Sequence, residues 1–313
     1  MMLARVADSL YWIGRYLERA EHFSRLADVM LNATLDRSDA AAQTAYIALS
    51  AVGDPDMARA ARTYEAAKAL VLDREDPNSV VISLSLAREN ARQVRDQITT
   101  ETWERLNLLY LRITSDNAAS AFESGSSAYI HDIIADLHQF KGAADATMSH
   151  GEGWRFLMLG AYLERAQLIA RLLEVCFGDG RDGNVTDRIA LMSLLRMGCA
   201  LEPYLRRYTA EIETRHILEF LVFDEEFPRS IRFATTRIEE HLVGVSRHVE
   251  GGLATPERLA GRLKARLQYA DVDELESVGA SALLATVTSE CARIHDAIFD
   301  TFVAYSLEMK LPA

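Results

Sequence analysis

The sequence predicts an all-α protein, a helical bundle built from two internally duplicated halves related by a pseudo-twofold axis. Three observations lead there. Apolar residues recur at three and four rather than at two along nearly the whole chain. Six prolines in 313 residues leave room for long helices. A charged segment also occurs twice: GRYLERAEHFSRLADV (Gly14 to Val29) and GAYLERAQLIARLLEV (Gly160 to Val175) agree at nine of sixteen positions without a gap.

The first helix carries one apolar stripe through Val6, Leu10, Ile13, Leu17, Ala20 and Ser24. Trp12, Tyr16, Phe23, Leu26 and Met30 widen it, as suits a helix packed on several neighbours. SVVISLSL (Ser79 to Leu86) alternates briefly, but ARENARQVRDQI follows without a break, so a helix continuing to about Ile98 is expected. Asp76 with Pro77, Pro228, and Thr255 with Pro256 mark helix starts. Breaks are expected at Glu123 to Ser127, at Cys176 to Asn184 and around Gly251 and Gly252.

Two further matches keep the order of the first. LVLDREDPNSV (Leu70 to Val80) pairs with LVFDEEFPRSI (Leu221 to Ile231), and TWERL (Thr102 to Leu106) with TPERL (Thr255 to Leu259). Three collinear matches argue for an ancient duplication, at a period far above that of solenoid repeats. The expected layout is a single domain over residues 1–313, with halves of about 1–149 and 150–313 packed face to face.

A formal net charge of −12 argues against a nucleic-acid surface, which needs excess Lys and Arg. Cys176, Cys199 and Cys291 form neither a disulfide framework nor a zinc pattern, and are expected to be reduced thiols of a cytoplasmic protein. Arg5 and Asp8 interrupt what a signal peptide would need, and no membrane-spanning segment is expected. A carboxylate-bridged metal pair would want two Glu-x-x-His motifs, and the chain offers Glu213 with His216 alone. No metal or cofactor is expected, and no phosphate loop or nucleophile motif is present.

The candidate site residues are charged. Gly14, Glu18, Glu21 and Arg25 share one flank of their helix, as do Gly160, Glu164, Gln167 and Arg171. Adjacent residues on a helix point about 100° apart, so each Glu-Arg pair must find partners elsewhere. If the copies cross at their glycines, Glu18 reaches Arg171 and Glu164 reaches Arg25 in a structural ion-pair network. Alternatively, a desolvated Glu18 or Glu164 acts as a general base in a cleft, with Arg19 and Arg165 among the groups holding an anion.

A second cluster lies in ARENAR. Arg88, Arg92 and Arg95 share a face, flanked by Glu89 and Asn90, and Asn107 of WERLN belongs with them. This is either a salt-bridged surface or an anion-binding face for substrate or partner. Arg229 and Ser230 of FPRS read mainly as helix-start chemistry, or as an anion-receiving first turn.

Taken together, RVADSLYWIGRYLERAEHFSRLADV, DPNSVVISLSLARENARQVRDQI, WERLN, GAYLERAQLIARLLEV and FLVFDEEFPRSIRF resemble the bacterial alpha-E family, an all-helical domain named for its Glu-Arg motif. The resemblance spans essentially the whole chain. It implies association with ATP-grasp-type and transglutaminase-like proteins, hence with a system that makes or cuts amide or peptide bonds. It also leads one to expect a tryptophan in ALMSLLRMGCALEPYLRRY, where this chain has Met192. Three readings follow: an accessory partner of an ATP-grasp-type ligase, an enzyme acting on an amide or peptide between the halves, or a scaffold.

Overall fold

Residues 2–34, 39–53, 62–178, 187–209, 211–246, 255–273 and 279–304 are described by the computed structural model, and none of them lies in a β-strand. The helices of the first half are α1 (Ala4–Ala33), α2 (Asp39–Val52), α3 (Thr63–Leu72), α4 (Val80–Gln93), α5 (Thr100–Ile113), α6 (Ala118–Ser124) and α7 (Ser126–Thr147). Those of the second are α8 (Glu152–Phe177), α9 (Arg188–Met197), α10 (Leu201–Tyr208), α11 (Thr214–Leu218), α12 (Ile231–Ser246), α13 (Thr255–Tyr269) and α14 (Ala280–Ile298). Helices α11 and α14 each run on into one π-helical turn, Glu219–Phe223 and Phe299–Val303.

The long helices α1 and α8 are the middle of the molecule and cross each other. Around α1, helices α4, α5 and α7 close a four-helix unit in which each packs on the next. Around α8, helices α12, α13 and α14 close a second unit with the same connectivity. Helices α2 and α9 pack on each other beside the central pair. With neighbours on nearly every side, α1 buries the expected stripe from Leu10 to Ser24 together with Ala7, Tyr11 and Leu31. Trp12 and Tyr16 are only partly buried.

Four helices start on side-chain caps, in which a hydroxyl or carboxylate accepts an otherwise unpaired first-turn N–H. Ser79 accepts from Ile82 N at 3.2 Å, Thr99 from Thr102 N at 3.3 Å, Asp187 from Ile189 N at 2.8 Å and Ser230 from Phe233 N at 3.0 Å. Two expected starts therefore move. Asp76 is not the cap of α4 but forms a turn, accepting from Asn78 N, and Pro228 precedes a helix capped by Ser230. Helix α4 ends at Gln93 instead of near Ile98, because Val94 leaves helical geometry at φ −118°, ψ 35°. The break at Gly125 separates α6 from α7. Most of the loop expected from Cys176 to Asn184, and the break at Gly251 and Gly252, lie outside the described residues.

Candidate functional site

The two Glu-Arg segments meet where α1 and α8 cross, and glycine makes the approach possible. A Cβ on Gly14 would stand 2.0 Å from the carbonyl oxygen of Leu157, and one on Gly160 would stand 1.9 Å from that of Tyr11. No other residue type tolerates such a backbone contact. The relation is reciprocal, since Tyr11 and Leu157 each lie three residues before the glycine of their own helix.

Just beyond the crossing the motifs exchange partners. Arg165 donates to Glu18 through Nε at 2.7 Å and Nη2 at 2.8 Å. Arg19 donates to Glu164 through Nε at 2.6 Å, and Arg15 donates to the other oxygen of Glu164, also at 2.6 Å. This corrects the expected pairs. Arg171 is exposed and makes no ion pair among the described residues, and Arg25 pairs within its own helix with Glu21 at 2.9 Å. The reason is axial distance. Glu18 and Arg165 lie four and five residues past their glycines, whereas Arg171 lies eleven past Gly160, about 9 Å farther along at 1.5 Å per residue.

Other helices complete the cluster. Lys141 of α7 donates to Glu18 at 2.7 Å and to Glu21 at 2.5 Å. Arg229, from the turn before α12, donates to Glu21 and lies 3.4 Å from Glu18. Three buried carboxylates, Glu18, Glu21 and Glu164, thus face five arginines and a lysine. Burial alone would raise the pKa of each acid, but the cations win. Arg165, Lys141 and Arg229 hold Glu18 below the usual carboxylate range; Lys141 and Arg229 do so for Glu21, and Arg15 and Arg19 for Glu164. All three are ionised, and each of their oxygens accepts from at least one cation, which makes them poor proton acceptors. Neighbouring His22 is pushed down to about 4, by burial first and by Arg229 second, and its Nε2 has no partner.

Among the missed members, Arg15 lies inside the repeated segment but where the second copy has Ala161, and Lys141 and His138 sit in segments without repeat or motif. Arg229 was visible as an anion receiver; its anions are the chain's own Glu18 and Glu21. Ser230 is a buried cap whose hydroxyl donates to the carbonyl of Asp224.

The ARENAR cluster is separate from this seam. Arg88 donates to Asn107 Oδ1 at 3.2 Å and stacks over Trp103 and Tyr110, while Arg95 lies over the same Trp103. Arg92 pairs with Glu89 on the surface, and the Asn90 amide donates to Leu86 O in its own helix. Leu86, Leu108 and Leu111 are exposed on α4 and α5. The surroundings of Arg88 and Arg95 are thus aromatic as well as cationic.

A pocket of about 680 Å³ opens between α1, α7, α9 and the start of α10, and none of the three saturated carboxylates lines it. On its α1–α7 wall His131 contacts Asp28 at 3.1 Å, and His138 contacts both Glu21 at 3.1 Å and Arg25 at 3.3 Å. Arg196 and Glu202 line the opposite wall, on either side of Cys199. Met192, where a tryptophan was expected, is on the same helix as Arg196 and packs against the core. Among the described residues no group of three His, Cys, Asp or Glu is arranged to hold a metal ion, and no helix is long and apolar enough to cross a membrane.

Known proteins bear on this geometry in two ways. The chain is 27% identical, over 98% of its length, to an uncharacterised protein of Mycobacterium bovis and to uncharacterised proteins from two strains of Mycobacterium tuberculosis. It spans only 37% of those relatives' length. No solved structure matches it significantly. The family model that matches, over residues 2–303, is described as a predicted alpha-helical domain with a conserved ER motif. Of the four Glu-Arg dipeptides in the chain, Glu18-Arg19 and Glu164-Arg165 clasp across the α1–α8 crossing. The chain belongs to the Alpha-E family.

Proposed function

We propose that this protein is a non-catalytic or co-catalytic partner of an ATP-grasp-type ligase, in a bacterial system that forms or modifies peptide or amide bonds, and that it docks through its helical faces. The observation that carries this reading is the saturation of the Glu-Arg motifs. Glu18 and Glu164 are each engaged by at least two cations and are sealed from solvent, so they serve as a clamp and leave no free base. Function then falls to the surface. Helix α5 exposes Leu108 and Leu111 and also carries Trp103 and Tyr110 under Arg88, the aromatic, arginine and apolar residue types of an interface centre. In the mycobacterial relatives the matching region is little more than a third of a longer chain, so there it works alongside further polypeptide. The ligase class itself rests on the family association.

Co-purification tests the proposal. Tagged protein recovered from its native host, with and without ATP and amino acids, should bring down an ATP-grasp-type ligase, and Leu108→Glu with Leu111→Glu should lose it. Recovery of no ligase would sink the idea and leave the scaffold reading. Against the enzyme reading, neither Glu18 nor Glu164 lines the pocket of about 680 Å³.

We also infer that the two four-helix units descend from one duplicated unit. Their shared connectivity and the reciprocal glycine and Glu-Arg contacts support this. Aligning the two halves within each mycobacterial relative checks it; loss of the collinear matches there would count against it.

A further inference from the structure

We propose that the pocket between α1, α7, α9 and α10 binds a zwitterionic small molecule of the amino-acid or short-peptide class. This stands whether or not the protein docks on a ligase. At about 680 Å³ the pocket lies in the ordinary range for small-ligand sites. Its charges are what select the ligand.

Two opposite charges in it have no partner among the described residues. Neither Arg196 nor Glu202 has an ion-pair or hydrogen-bond partner for its side chain among the described residues, and the two do not pair with each other. The turn between them keeps them apart and is itself rigid. Gly198 N donates to Leu194 O at 3.0 Å, Cys199 N to Arg196 O at 2.9 Å and Ala200 N to Leu195 O at 2.7 Å, with Cys199 at φ 53°. One wall therefore presents a cation and an anion that do not pair with each other.

The facing wall repeats the pattern. Arg25 spends Nε and Nη2 on Glu21, leaving Nη1 without a partner. Asp28 accepts from Ser127 at 2.8 Å and contacts His131, with lone pairs to spare. In the proposed mode Arg196 and Arg25 hold the ligand carboxylate, and Glu202 and Asp28 hold its ammonium. A simple anion such as phosphate gains the arginines but also meets the carboxylates of Glu202 and Asp28, which disfavours it.

Titration calorimetry on the full chain tests this with Ala-Ala, its N-acetyl and C-amide derivatives, free glutamate and inorganic phosphate. Ala-Ala or glutamate is expected to bind, and blocking either end of Ala-Ala should weaken binding by about tenfold or more, as for loss of one charge-assisted contact. Arg196→Gln should erase the preference for a free carboxylate and Glu202→Gln the preference for a free amine. Both side chains are exposed, so circular dichroism should show the fold unchanged. The proposal is overturned if no zwitterion binds, if phosphate binds more tightly than any of them, or if the two variants show the wild-type pattern.

Discussion

Glu18 and Arg165 are joined by two parallel hydrogen bonds across the helix crossing, in a pocket of protein that leaves Glu18 only 1% exposed. Such a fork-to-fork pair is the strongest form of carboxylate recognition available to a side chain. Its worth shows when one partner is removed. Glu18→Gln leaves buried Arg165 without a carboxylate, while Lys141 and Arg229 keep Glu21, and should cost about 3–5 kcal/mol. Arg165→Met should cost less, because Lys141 and Arg229 still hold Glu18. Urea denaturation of both single variants and the double variant measures the coupling, and additive costs would show that the pair is not energetically linked.

The two glycines at the crossing should be irreplaceable. Gly14→Ala and Gly160→Ala each force a methyl group into a backbone carbonyl, so the helices must separate, at a cost of at least about 3 kcal/mol. Gly142 is the control. It lies within α7 with nothing near its would-be Cβ, and Gly142→Ala should stabilise by up to about 1 kcal/mol. Equal losses at all three positions would refute the close-crossing account.

Acid should weaken the fold in two steps. His22 and His241 are both pushed down to about 4, by burial first and then by Arg229 and Arg155 respectively, against about 6.5 when unfolded. The unfolded chain binds their protons first. The stability they contribute is therefore complete above about pH 6.5 and is lost as pH falls through about 4. For His22 the loss is on the order of 3 kcal/mol. Glu18, Glu21 and Glu164, held below their usual range, add a second loss below about pH 4.5. Urea midpoints followed from about pH 7 to about pH 4.5 should fall, and His22→Phe should flatten that fall. A wild-type midpoint that stays level over this range would rule out a neutral buried His22.

The α4–α5 face should separate binding from stability. Leu108→Ser and Leu111→Ser sit on exposed positions and should change stability by less than about 0.5 kcal/mol. Arg88→Ala removes a guanidinium stacked on two rings and should cost about 1 kcal/mol. Thermal melts alongside capture of the ligase distinguish the two. Loss of capture only in proportion to lost stability would argue against a docking face.

Much of this architecture was legible because helical periodicity and repetition are linear signals. The stripe from Leu10 to Ser24 and the glycines at 14 and 160 announced a close crossing of two similar helices. What could not be read was which arginine each glutamate meets. Wheel position favoured Arg25 and Arg171, since they share the flank of the glutamates. The distance along the axis decided for Arg19 and Arg165, whose long side chains swing back across the seam. Lys141 and Arg229 were invisible as partners because they arrive from α7 and from the turn before α12, and no local pattern ties those segments to α1. The pocket was missed for the same reason. Arg25, His138 and Arg196 become neighbours only once three helices are in place.

The reciprocal clasp also governs how the chain can come into being. Glu18 is made early in synthesis, but its chief partner Arg165 is 147 residues away. Until α8 emerges, α1 has a buried-type carboxylate with no guanidinium to meet it and a bare glycine backbone with nothing to press against. The first half is thus an unfinished object, however complete its own four helices look. Contacts of such sequence separation are the slow ones to form. A ribosome that has passed residue 150 holds a half-closed clasp, and the waiting surface is the one that a chaperone, or an identical chain caught at the same stage, would be best placed to cover.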